Sequence, residues 1–280
     1  MTEDSDQTDR ERNAFDPEFM ALRTRYFETL RPLFYAQSEH FDIVTFLASL
    51  LRITGMEDEG WDPYLESHSM LLDLDHLLRI PLPTEFYDDE NGSKWRFGVL
   101  LYSHAVEMDV VYEVIANLLR YHLGEGYNPN PFFKFLSPKK QRRYRNKALP
   151  PLEKIAVIKA LGTRMSIPVG ELFEEFYNNK LRNPIAHSDF ILSGTEFRCR
   201  GGAHAYRAYR MPLEEVGDII LRTRAFFGAF FGLESATRKH FAEHYGNKAL
   251  PYNRRTKELL EILSHDGMLT GFKIHFPNGS

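Results

Sequence analysis

Residues 95–123 read WRFGVLLYSHAVEMDVVYEVIANLLRYHL, and they form the longest helical pattern in the chain. Leu100, His104, Val111, Ile115 and Leu118 or Leu119 recur on one face at helical spacing, and Gly124 and Gly126 then stop the run. An apolar stripe of this length needs other helices to cover it, so the stretch predicts the central helix of a bundle.

Similar patterns flank it. Residues 15–36 open with Asp16-Pro17 as cap and first turn, then place Phe19, Leu22, Tyr26, Leu30 and Leu33 at three- and four-residue steps. Residues 41–53 and 64–78 repeat that spacing, separated by a connection holding Gly55, Gly60, Asp62 and Pro63. Residues 80–94, with Pro81, Pro83 and the run Asp88-Asp89-Glu90-Asn91-Gly92, read as a boundary-like loop. Further helices are expected over 152–161, 169–180, 212–245 and 253–264, with a near-alternating hairpin over 190–209 and an extended tail after Gly267. The fold class is therefore mainly α: a helical bundle with a small β-hairpin and a short extended C-terminal tail. The expected division is a flexible leader at 1–14, an N-terminal helical region at 15–94, the bundle with its hairpin insert at 95–266, and the tail at 267–280.

Composition narrows the class. With 43% hydrophobic and 14% aromatic residues, the 280-residue chain can bury a sizeable core and is not disordered as a whole. No apolar run approaches the ~20 residues of a membrane-spanning helix. The polar, acidic start lacks the apolar segment of a signal peptide, and a single cysteine, Cys199, permits neither an internal disulfide nor a cysteine metal framework; a cytoplasmic location without membrane partners is expected. Thirty-nine acids against 35 bases give a net charge of −4, so any nucleic-acid contact must be local.

Two basic-aromatic clusters meet that condition. Lys139, Lys140, Arg142 and Arg143 beside Tyr144, with Arg145 and Lys147 following, can hold phosphates and stack a base; the competing reading is a solvated loop. Arg198, Arg200, Arg207 and Arg210, with Tyr206 and Tyr209, form the second cluster in the expected hairpin. His104 and Glu107 share a helix face as a polar pair, while His240 and His244 lack the surrounding zincin arrangement and receive no role. The sequence contains no Gly-rich phosphate loop, no Gly-x-Ser-x-Gly elbow and no paired-carboxylate motif.

The string Leu181-Arg182-Asn183-Pro184-Ile185-Ala186-His187-Ser188-Asp189-Phe190 carries the chemistry. An Arg followed closely by a His is cheap, since Arg198 with His204 and Arg238 with His244 match it loosely. The Asn after the Arg, the helix in front and the Ser-Asp-Phe behind set this string apart. It resembles the signature of HEPN-like proteins: Arg, a polar residue, three more residues, then His. The resemblance suits residues 95–245 in helical order and extends only loosely to the first ninety residues and the tail.

That resemblance implies a metal-independent endoribonuclease without a cofactor, often a toxin, a defence factor or an RNA-processing factor, with two protomers joining their motifs in one cleft; an antitoxin or other protein partner goes with such roles. Many members of the family are instead non-catalytic modules that bind RNA, nucleotide or protein. In the catalytic reading, His187 moves a proton to or from the 2′-hydroxyl or the leaving 5′-oxygen, Arg182 grips the charged phosphate, and Asn183 orients the phosphate or His187. On an ideal helix five residues advance about 500°, leaving Arg182 and His187 about 140° apart. Either Pro184 breaks the helix or a second copy completes the site, and a symmetric homodimer would present two His187 side chains as base and acid. A competing reading makes Asn183-Pro184 a plain helix start, with Arg182 in a surface ion pair and His187 a packing residue.

Overall fold

The computed structural model describes residues 16–35, 42–52, 63–83, 89–200, 208–253 and 257–276. The expected leader at 1–14, the connection around Gly55 and Gly60, and Tyr206 and Arg207 lie outside those residues.

The first three helices begin where the sequence places them. In α1 (Pro17–Leu30) the Asp16 carboxylate accepts from the Glu18 and Phe19 N–H groups, and a 3-10 turn (Arg31–Phe34) extends the helix. Asp42 caps α2 (Ile43–Leu51) in the same way, and α3 (Pro63–Arg79) follows.

The long central pattern is two helices. They are α4 (Glu90–Glu107) and α5 (Asp109–His122), separated by Met108, whose ψ of 93° is extended. The Tyr112 hydroxyl, fully buried, donates to the Val106 carbonyl at 2.9 Å, so the break leaves that acceptor satisfied. Nor is Asp88–Gly92 a loop throughout: Asp89 caps α4 by accepting from the Gly92 N–H at 2.9 Å.

Next come α6 (Pro138–Tyr144), α7 (Pro151–Met165), α8 (Val169–Glu174) and α9 (Asn179–Ala186). The helix expected over 169–180 thus stops early, and a separate one carries the motif. α8 approaches α7 backbone to backbone: a Cβ on Gly170 would lie 2.5 Å from Lys159 Cα.

The hairpin after the motif is a three-stranded antiparallel meander, β1 (Phe190–Leu192), β2 (Glu196–Cys199) and β3 (Tyr209–Pro212), with Phe190 opposite Cys199 and Arg198 opposite Arg210. It leads into α10 (Leu213–Tyr245), the longest helix.

At the C-terminus the expected helix over 253–264 is a strand, β5 (Glu258–His265), lying between β4 (Ala249–Asn253) and β6 (Met268–His275). Leu260 and Ile262 are buried while Leu259 is exposed, which is the two-residue period of a strand. Asp266 (φ 48°) and Gly267 (φ 73°) form the two-residue turn between His265 and Met268, the left-handed pair that matches strand twist. The tail is therefore a paired strand and not a free extension.

One hydrophobic cluster runs from Tyr26 to Leu269. Within it Phe226 of α10 meets Tyr26 edge-on at 5.8 Å and lies 4.7 Å from Phe173 and 5.0 Å from Phe176. Beside this cluster Glu175 ties three elements together. Arg25 holds it through both Nη atoms, one of them at 2.8 Å, Tyr26 donates at 2.8 Å, and Arg222 Nη1 lies at 3.3 Å. Among the described residues no helix is long and apolar enough to cross a membrane.

Burial alone would raise the Glu175 pKa, but Arg25, Tyr26 and Arg222 outweigh it and hold the carboxyl below its ordinary value. A depressed carboxylate contributes stability that is fully present above its unfolded pKa and disappears as pH falls through the folded one. Glu175→Gln should destabilise the chain by about 1–3 kcal/mol at neutral pH. The difference from wild type should shrink below roughly pH 4, as read from urea denaturation at a series of pH values.

Candidate functional site

The motif is built on α9. Asn178 caps that helix, its side-chain oxygen accepting from Lys180 N–H at 2.9 Å and Leu181 N–H at 3.3 Å. The Tyr102 hydroxyl of α4 donates to the Asn178 carbonyl at 3.1 Å and accepts from its N–H at 3.0 Å. Burial drives the Tyr102 hydroxyl well above its ordinary pKa, which keeps it a neutral donor. Because the cap is Asn178, Asn183-Pro184 does not start a helix, although the ion pair that the competing reading gave Arg182 is present, with Glu107.

Pro184 stands inside α9, where it has no N–H to give the Lys180 carbonyl, and the helix ends two residues later. The ending is well satisfied. Ser188 takes a left-handed φ of 53°, its N–H reaches the Ile185 carbonyl at 3.0 Å, and the Asp189 N–H reaches the Pro184 carbonyl at 2.8 Å. This is a Schellman closure with serine in the position that glycine usually fills.

These local rules place the three candidate residues differently. Leu181, Pro184 and Ile185 are buried and fix the inner face of α9. Arg182 is half-buried: its Nε donates to Glu107 Oε1 of α4, and its Nη1 donates to Asn183 Oδ1 at 3.0 Å. The Glu107 hydrogen bond raises the Arg182 pKa against the opposing effect of burial. His187, the C-cap residue, is exposed, and its N–H donates to the Asn183 carbonyl at 3.1 Å. Asn183 thus joins the other two, with its side chain on Arg182 and its backbone on His187.

Glu107 was visible in the sequence only as a companion of His104. His104 Nε2 instead lies 3.1 Å from the Ser67 carbonyl of α3, and Glu107 takes Arg182, 75 residues away. Asp189 was visible as part of the motif string but not as a polar group in its own right. Its Oδ1 is 3.7 Å from Arg200 Nε, and its Oδ2 is buried with no hydrogen-bond partner among the described residues.

The second basic cluster therefore begins at the motif itself. Arg198 and Arg210 face each other across β2 and β3, and Glu196 lies between them, 2.8 Å from Arg198 Nε and 3.9 Å from Arg210 Nη1. Arg200 is 85% exposed. The first cluster is a helix and not a loop: Ser137 caps α6, which turns Lys139, Lys140, Arg142 and Arg143 outward. Lys140 pairs with Glu153 at 2.7 Å. Arg143 lies over the Tyr144 ring at 5.3 Å, and that ring packs partly against the core, leaving less of it for a base to stack on. Arg145 and Lys147 are exposed just beyond the helix. The rings of His240 and His244 lie 4.2 Å apart, tilted by 35°, and the described residues contain no metal-ligating group of three.

No family model, curated protein or solved structure matches the chain.

Tyr102→Phe removes both hydrogen bonds to Asn178 and should cost about 1–3 kcal/mol. Amide exchange should accelerate first in 179–186; uniform acceleration across the chain would show that the hydroxyl does not specifically anchor α9.

Proposed function

We propose that the chain is a metal-independent endoribonuclease of the HEPN-like kind, acting as a homodimer. The observation that carries this reading is the exposed His187, joined through Asn183 to a guanidinium whose orientation Glu107 fixes. A packing histidine would be buried, whereas this one is exposed.

The chemistry is transesterification. The RNA 2′-oxygen attacks the adjacent phosphorus and loses its proton to a base, the bond to the 5′-oxygen breaks, and that oxygen takes a proton from an acid. The products are a 2′,3′-cyclic phosphate and a free 5′-hydroxyl. His187 of one protomer serves as base and His187 of the second as acid. Arg182 stabilises the charge on the phosphoryl oxygens and Asn183 holds Arg182 in place. The strand arginines Arg198, Arg200 and Arg210 follow the motif directly and supply further contacts to the RNA backbone.

One observation favours a second reading, a non-catalytic module that binds RNA, nucleotide or protein. Glu107 occupies the Nε edge of Arg182 and leaves a carboxylate where a phosphate would approach. In that reading an antitoxin-like protein covers the face that carries Arg182 and His187.

Cleavage of a labelled single-stranded RNA pool in EDTA separates the two. In the catalytic reading the wild type leaves 2′,3′-cyclic phosphate ends and His187→Ala, equally folded and dimeric, loses cleavage by a factor of at least about 100. Equal cleavage by both proteins, or none by either, rejects that reading. Glu107→Gln should cost less than about 1 kcal/mol of stability and should tighten RNA binding, with a salt dependence that identifies phosphate contacts.

A further inference from the structure

Away from the motif, α1, α3, α4 and α10 enclose a cleft of about 240 Å³. Its floor is apolar, formed by Leu71, Leu101, Phe227 and Phe231. Phe227 is buried, and Phe231 is held in place by a stacked His68 at 4.0 Å. Leu72, at the same cleft, is 55% exposed. Apolar walls with an exposed apolar mouth suit a ligand that brings its own hydrocarbon surface.

The cleft also concentrates positive charge. Arg23, Arg79 and Arg224 line it together with one carboxylate, Asp75. Both Asp75 oxygens are already engaged: Oδ1 lies 2.6 Å from Arg224 Nε and Oδ2 lies 3.0 Å from Arg79 Nη2. Arg224 in turn lies over the Phe19 ring at 5.3 Å, which fixes its plane.

Arg23 stands apart from this network. It is half-buried, yet no carboxylate or carbonyl meets it among the described residues. It lies over bare helix: a Cβ on Gly228 would be 3.6 Å from Arg23 Nε, and one on Gly232 would be 3.6 Å from Nη2. Other half-buried arginines are paired, Arg182 with Glu107, Arg222 with Asp218 and Arg52 with Glu113. A guanidinium carries its charge at every accessible pH and presents a planar fork of donors. Leaving that fork without an acceptor beside Arg224 puts an uncompensated positive charge at the edge of an apolar floor.

We propose that this cleft binds a small aromatic anion, its ring against Leu101, Phe227 and Phe231 and its carboxylate or phosphate gripped by Arg23 beside Arg224. Size supports a compact ligand. A cavity of roughly 150 Å³ accommodates benzene, so this one takes one ring and an anionic group, and it lies below the roughly 300–1,000 Å³ of drug-sized sites. The anion would be the acceptor that Arg23 lacks among the described residues. The site is separate from the RNA reading of Arg182 and His187 and stands or falls without it.

Calorimetric titration of the full chain with phenylacetate, phenyl phosphate and neutral benzyl alcohol tests this, with leucine methyl shifts locating the ligand. The expected result is binding of at least one anion with shifts at Leu71 and Leu101, and markedly weaker binding of benzyl alcohol. The preferred anion then distinguishes a carboxylate from a phosphate ligand. Arg23→Gln should weaken binding about tenfold or more while leaving the Tm of the free protein unchanged. Gly228→Leu, which fills the cleft, should abolish it. The proposal is overturned if neither anion binds up to roughly 10 mM, if benzyl alcohol binds as tightly, or if Arg23→Gln binds as well as wild type. A clear fall in Tm of free Arg23→Gln would equally overturn it, since Arg23 would then serve packing alone.

Discussion

The position of Phe226 governs the rest of the bundle. Its ring meets Tyr26 from α1 and both Phe173 and Phe176 at the end of α8, so one side chain of α10 sets the distance between three elements. Edge-on and tilted contacts of this kind add about 0.5–1.5 kcal/mol per pair beyond burial. They also restrict orientation in a way that aliphatic packing does not. Two residues after Phe176 the chain reaches Asn178, the cap of the motif helix, so the aromatic cluster determines where Arg182 and His187 stand. The ionic tie at Glu175 lies at the rim of the same cluster and joins the same elements through polar contacts.

The motif helix is weak by its own sequence and strong by its attachments. Eight residues with an internal proline would not hold helical structure alone. α9 holds because its inner face is buried, its first carbonyl and N–H are grasped by a tyrosine from α4, and its last carbonyls are closed by Ser188 and Asp189. The attachments also divide labour within the motif. Arg182 is pulled inward by Glu107, His187 is left outward on the cap, and Asn183 reaches both.

Much of this was legible in the sequence, and what was not has physical reasons. The 33 residues of α10 carry an unbroken apolar period, and Pro212 marks their start, so the helix reads directly. The break at Met108 has no glycine or proline to announce it; it depends on packing and on the Tyr112 hydroxyl reaching Val106. Leu259, Leu260, Ile262 and Leu263 fit helical and strand periods equally, and only the neighbouring strands decide between them. There the Asp266-Gly267 pair was the available signal, a hairpin dipeptide between apolar runs. Of the site, the residues were legible and the partners were not. Glu107 meets Arg182 only because α4 and α9 pack together, and no spacing rule spans 75 residues.

Cys199 gives the sheet beside the motif an internal clock. The thiol is buried on β2, with Phe190 opposite it on one side and Tyr209 on the other, and the chain contains no second cysteine. A thiol in that position meets a reagent in solution only while the strands part, so its rate of alkylation counts openings of this one region. β1 leaves the motif helix directly after Ser188 and Asp189, and those openings disturb the backbone on which His187 is mounted. The fold has thus placed its one thiol where it records how often the ground beneath the motif gives way.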